Sequence, residues 1–201
     1  MILTRLRGVV GALGTDAGWY EDFDLGPAGF RRSFLVAALV VPMSLVVARG
    51  VETERALAVE RWVAQGRAPA DAVAATVPAL PLALVVGAFV IAFPFVATVT
   101  ATLFGKAERL RGWMVVRHWT LLFLSMIAAL LFALYLAGAL PFRLANSGLF
   151  ILTFALLAAD IRLAQRVGGF SLGAAVLVGS IVASLGMSLI LLGLLAYIGP
   201  A

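Results

Sequence analysis

The sequence predicts an all-α, polytopic membrane bundle: five transmembrane helices, an amino-terminal amphipathic helix and a short surface helix after the first span. Three observations predict it. The 201 residues are 63% hydrophobic and 12% charged, with a mean hydropathy of +1.09, whereas soluble domains carry about a quarter charged residues. The charges divide the chain into apolar stretches close to the roughly 20 residues that cross a bilayer core. The basic residues gather between those stretches, where anionic lipid headgroups are their natural counter-charge.

Residues 1–32 read as a cytoplasmic, interfacial segment ahead of a transmembrane domain over 33–201. Within residues 1–13, Ile2, Leu3, Leu6, Val9, Val10 and Leu13 recur at helical spacing, with Arg5 and Arg7 at the flanks. That pattern predicts a helix lying in the headgroup layer. The run Gly8–Gly14 is too short and too glycine-rich for a secretory signal core, so the segment is read as retained.

The first span is expected over about 30–48, extended by snorkelling of Arg31 and Arg32 and interrupted by Pro42. After it, Ala56, Val59, Trp62 and Val63 predict a surface helix over Val51–Gly66, with Trp62 as an interfacial anchor. The second span, about 78–104, starts at Pro78 and Pro81 and contains Pro94, which should kink it. The third runs over about 118–140 and the fourth over about 146–163, with Asn146 and Ser147 as caps. The fifth, about 171–198, is free of charge and closes at Gly199-Pro200. No sequence repeat is evident, and an odd number of spans argues against a simple inverted-repeat transporter.

With five spans, ten basic residues fall on the amino-terminal side and five on the other. The positive-inside rule then predicts a cytoplasmic amino terminus and an external carboxyl terminus. Arg5, Arg7, Arg31, Arg32, Lys106, Arg109 and Arg111 are the expected headgroup ligands. Nucleic acid is not an expected partner, despite a net charge of +5. Fourteen of the fifteen basic residues are arginine, which with the abundant Ala, Gly and Val suggests a bacterial inner-membrane protein.

Several chemistries are excluded. Without cysteine there is no disulfide, zinc-thiolate or thiol nucleophile. One histidine, His118, cannot build a multi-histidine metal or haem site. No catalytic triad, paired intramembrane aspartates, phosphate loop or HExxH occurs, so no enzyme activity and no cofactor are expected.

Two groups of residues remain as candidates. In the fifth span Gly179, Gly186 and Gly193 recur every seven residues, beside Ser180, Ala183, Ser184 and Ser188. Small residues let helices approach closely, either within this bundle or against another membrane protein or a second copy. The other group is polar: Arg117, His118, Asp160 and Arg162. Asp160 is the only acid in its apolar run and is expected to pair with Arg162, Arg166 or Arg117 near the headgroups. A pair across helices is favoured, because Arg162 lies on a different face of the helix. Asp160 with His118 as a proton site is the alternative, and belongs to a small transporter or channel subunit.

Residues 23–30 read Phe-Asp-Leu-Gly-Pro-Ala-Gly-Phe just before the first span. Asp24-Leu25-Gly26-Pro27 resembles the Asp-Leu-Tyr/Trp-Gly-Pro motif of the Yip family, without its aromatic residue. Ile91-Ala92-Phe93-Pro94 and Leu103-Phe104-Gly105-Lys106 are similar to segments of bacterial relatives of that family. The resemblance implies a five-span architecture, a cytoplasmic amino terminus and a non-enzymatic, scaffold-like role. The residues themselves need only local roles: Asp24 capping a turn and Pro27 opening a helix.

Overall fold

A computed structural model describes residues 2–66 and 79–198, with side-chain surroundings for 2–66, 84–185 and 188. The described residues are helical, with no strand. In chain order they form α1 (Ile2–Leu13), a 3-10 turn (Trp19–Asp22), α2 (Pro27–Ala38), α3 (Val40–Ala64) and α4 (Ala79–Leu103). A second 3-10 turn (Ala107–Arg109) leads to α5 (Leu110–Leu136), α6 (Phe142–Arg166) and α7 (Leu172–Ile198).

Four of these helical stretches are long and apolar enough to cross a membrane: Pro27–Ala64, Leu84–Leu103, Ala107–Leu136 and Phe142–Arg166. α7 is apolar over its described residues Leu172–Leu185. α4 and α7 match the expected second and fifth spans within a residue or two at each end, and α6 extends the fourth by a turn in each direction.

Two elements depart from expectation. The surface helix after the first span is not separate, because α3 runs without interruption from Val40 to Ala64. No proline stands between Ala48 and Gly66, and ion pairs of Arg49 with Glu52 and of Arg61 with Glu54 support the helix across the polar stretch. Pro27–Ala64 is therefore a 38-residue stretch, about 57 Å long, against a hydrocarbon core of about 30 Å. Its end is tied to α5 by Tyr135, whose hydroxyl donates to Glu54 at 2.9 Å. The one break falls at Leu39, as the proline predicts: Pro42 has no N–H for the Ala38 carbonyl, and its ring crowds that carbonyl.

The other departure is the start of α5, eight residues before the expected third span. The helix passes through Arg111 and Arg117 instead of starting after them.

The long helices close a ring in the order α3, α4, α7, α6, α5 and back to α3, with α2 packed on α5. α1 and the first 3-10 turn lie across one end, against α5 and α6. That end holds the main core, centred on Trp113 between Phe93 and Phe170 at ring distances of 5.6 and 5.4 Å. The Asp24–Phe30 segment forms its own cap: Asp24 Oδ1 accepts the Gly26 N–H at 3.1 Å, and Pro27 opens α2. Gly29 is required there, since a Cβ would come within 1.9 Å of the Asp24 carbonyl oxygen.

Candidate functional site

The polar candidates separate into two groups on opposite faces of α6. Asp160 and Arg162 are two residues apart, about 200° around the helix, so only one can face the bundle. Asp160 does. Arg117 Nε donates to its Oδ1 at 2.7 Å and Arg117 Nη2 to its Oδ2 at 3.1 Å. The guanidinium is 0% exposed and the carboxylate side chain 7%. Phe93 covers the guanidinium with its ring centre 3.5 Å from Cζ, and Phe89 lies at 5.5 Å. This is a two-pronged, charge-assisted bond with a cation-π contact, the geometry to which arginine is better suited than lysine.

Each charge alone is expensive in this setting, and removing one partner of a buried pair typically costs about 3–5 kcal/mol. The pair therefore fixes α5 against α6. The sequence offered three arginines for Asp160, and the structure selects Arg117. Arg117 is enclosed by the bundle.

His118 turns the other way, toward α2. Ser33 Oγ donates to the Phe30 carbonyl at 2.7 Å, so its lone pair accepts from His118 Nδ1 at 3.0 Å. Phe34 meets the imidazole edge to face at 5.1 Å. Asp160 and His118 are thus bonded to different partners on different helices, and the structure does not join them. Sequence reasoning missed Ser33, and its separation of 85 residues from His118 left no local signal. Three buried atoms have no hydrogen-bond partner among the described residues: Trp113 Nε1, Arg117 Nη1 and His118 Nε2.

Arg162 and Arg166 face α1. Arg162 donates to the carbonyls of Leu13 and Gly14, each at 3.1 Å. Arg166 donates to the carbonyls of Gly11 at 2.8 Å and Asp16 at 2.5 Å, and to that of Gly14. The last carbonyls of a helix lack intrahelical donors and carry its negative dipole end. Two arginines supply both the donors and the positive charge. Arg162 is accordingly outside the polar group expected from the sequence.

Held this way, α1 shows two unlike faces. Gly8, Val9, Gly11 and Ala12 are buried against the bundle and the first 3-10 turn. Ile2, Leu3, Leu6 and Val10 are exposed, Leu3 to 79%. Arg7 bonds the Asp22 carboxylate, and Arg5 donates to the Asp22 carbonyl. The Arg7 bond holds the Asp22 carboxyl below its usual pKa of 3.8. Of the other expected headgroup ligands, Arg31, Arg32, Arg109 and Arg111 are exposed and Lys106 is half-buried.

The small-residue face of α7 divides as well. Gly179 is buried on Ile161 of α6, where a Cβ would meet Ile161 Cγ1 at 2.5 Å. Ala183 lines a concavity, whereas Ser180, Ser184 and Ser188 are exposed. The surroundings of Gly186 and Gly193 lie outside the described residues. This concavity, about 380 Å³, is lined from all five ring helices, including Val40, Phe89, Ser125, Thr153, Asp160 and Ala183, and it is open to the outside, with Thr153 and Phe154 exposed.

Comparison of the chain with protein-family models, with curated proteins and with solved structures gives no match.

Proposed function

We propose that this chain is a five-span bacterial inner-membrane protein that acts without catalysis, as a scaffold or accessory subunit, through contacts with lipid and with another membrane protein or a second copy. Its amino terminus is cytoplasmic and its carboxyl terminus periplasmic on this reading. The observation that carries it is the distribution of polarity. Asp160, Arg162 and Arg166 are engaged in bonds that hold helices together, while apolar and cationic groups of α1 and α2 face outward. The Asp24–Pro27 segment and its likeness to the Yip motif fit the same architecture.

A photo-crosslinking residue placed at Leu3, Arg109 or Ser184 tests the proposal in intact membranes. The expected result is discrete protein adducts from at least one of these exposed positions and none from the buried Val178. Adducts at none of them, together with a monomer in mild detergent, would overturn it.

The second reading is a small transporter or channel subunit, favoured by the concavity with Ser125, Thr153 and Asp160 on its wall. Solute flux in proteoliposomes that Ser125→Leu abolishes would establish it in place of the first.

A further inference from the structure

A second concavity lies on the outside of the bundle, between α2 and α5, with a volume of about 330 Å³. Its mouth is polar and its length is not. Arg5, Asp24 and Arg32 stand at one end. Val36 and Leu39 continue along α2, and Trp119, Leu122 and Met126 along α5. Gly29 and Ser33 line the slot from α2 as well. From Val115 to Met126 the α5 wall rises about 16 Å, parallel to the helix axis. Leu39 and Met126 are 50% and 42% exposed, so the slot is open along its side.

We infer that this groove holds one acyl chain of an anionic phospholipid, with the phosphate at Arg5 and Arg32. The inference rests on the reading of the chain as an integral membrane protein and names a lipid that it contacts. Charge complementarity selects the headgroup. Two guanidinium groups and one carboxylate leave a single positive charge at the mouth, matching the single negative charge of a phosphodiester. Asp24 already directs Oδ1 to the Gly26 N–H. Arg32 is exposed, and no described residue pairs with its guanidinium. Arginine presents a planar fork of donors suited to phosphate. A zwitterionic headgroup would bring its own cation to a site that is already positive. Trp119, half-buried near the start of the slot, is the residue type that settles at the headgroup boundary.

The test uses the full-length protein in bilayer nanodiscs containing equal phosphatidylglycerol and phosphatidylcholine with identical chains. Lipid retained after transfer to mild detergent is counted by native mass spectrometry. Phosphatidylglycerol is expected to be retained over phosphatidylcholine, and Arg32→Gln to lower its retention about fivefold, the effect of one basic residue near an anionic surface. Arg31→Gln makes the same charge change on the neighbouring residue, which does not line the groove, and is expected to lower retention less than Arg32→Gln does. Met126→Trp, at the exposed rim, is expected to reduce retention of both lipids. Equal retention of the two lipids, or equal effects of Arg31→Gln and Arg32→Gln, would overturn the inference. The crosslinking described above reads a different property. Lost lipid preference with intact protein adducts would sink the lipid site alone.

Discussion

Two arginine–aspartate pairs occupy contrasting regions of this protein. Arg117 and Asp160 meet inside the bundle, both shielded, under the ring of Phe93. Arg7 and Asp22 meet at the end collar, where the arginine side chain is 74% exposed. The chemistry is the same and the consequence differs. In the interior neither ion has water to fall back on, so the pair is obligatory once either charge is present. At the collar, solvent screens the attraction and the guanidinium is readily rehydrated. The interior pair therefore fixes the bundle, while the collar pair adjusts how one short helix rests on it.

This contrast can be broken or sharpened in four ways. The largest effect is expected from Asp160→Asn, which leaves Arg117 enclosed without a counter-charge. A loss of about 3–5 kcal/mol should appear in thermal or denaturant unfolding in detergent. The next acts on the collar through Arg162→Gln with Arg166→Gln. Hydrogen bonds from charged groups contribute about 1.5–3 kcal/mol when shielded, and these bonds, partly exposed, should contribute less. Faster amide exchange is expected in α1, with the unfolding midpoint of the bundle nearly unchanged.

Gly179→Leu addresses packing without charge. Its side chain would collide with Ile161, and overpacking of this kind typically costs about 1–3 kcal/mol. The smallest effect concerns Asp22, whose pKa is lowered by the Arg7 bond. A depressed carboxyl pKa stabilises the folded state above its unfolded value, and that contribution disappears as pH falls through the folded value. Exchange protection of α1 should therefore be flat from pH 7 to about 4, after correction for intrinsic exchange rates. It should decline below that, and Arg7→Gln should remove the decline.

How much of this was legible in the sequence depended on whether a signal was local. α4 and α7 could be placed closely because proline and charge mark their ends. α5 could not, because Arg111, Arg117 and His118 read as a boundary when their partners are unknown. A charge ends a span only if it must reach water, and Arg117 does not, since Asp160 lies 43 residues away in sequence but within bonding distance. The continuity of α3 was hidden for a related reason: a polar surface was taken as the start of a new element, yet nothing in the stretch stops a helix. The α1 helix was legible from its period, but its docking was not. The opposed directions of Asp160 and Arg162 followed from helical geometry alone; the α1 carbonyls that receive Arg162 and Arg166 depend on tertiary structure.

The central claim is that the polar interior serves architecture and that function resides on the outer surface. The double substitution Arg117→Met with Asp160→Leu tests it most directly, by removing both charges at once while keeping the volume. The account predicts a folded protein, at least as stable as Asp160→Asn, with the same crosslinked adducts from Leu3, Arg109 and Ser184 as the parent. A folded double variant that has lost those adducts would contradict it, and would place the buried pair in the function itself.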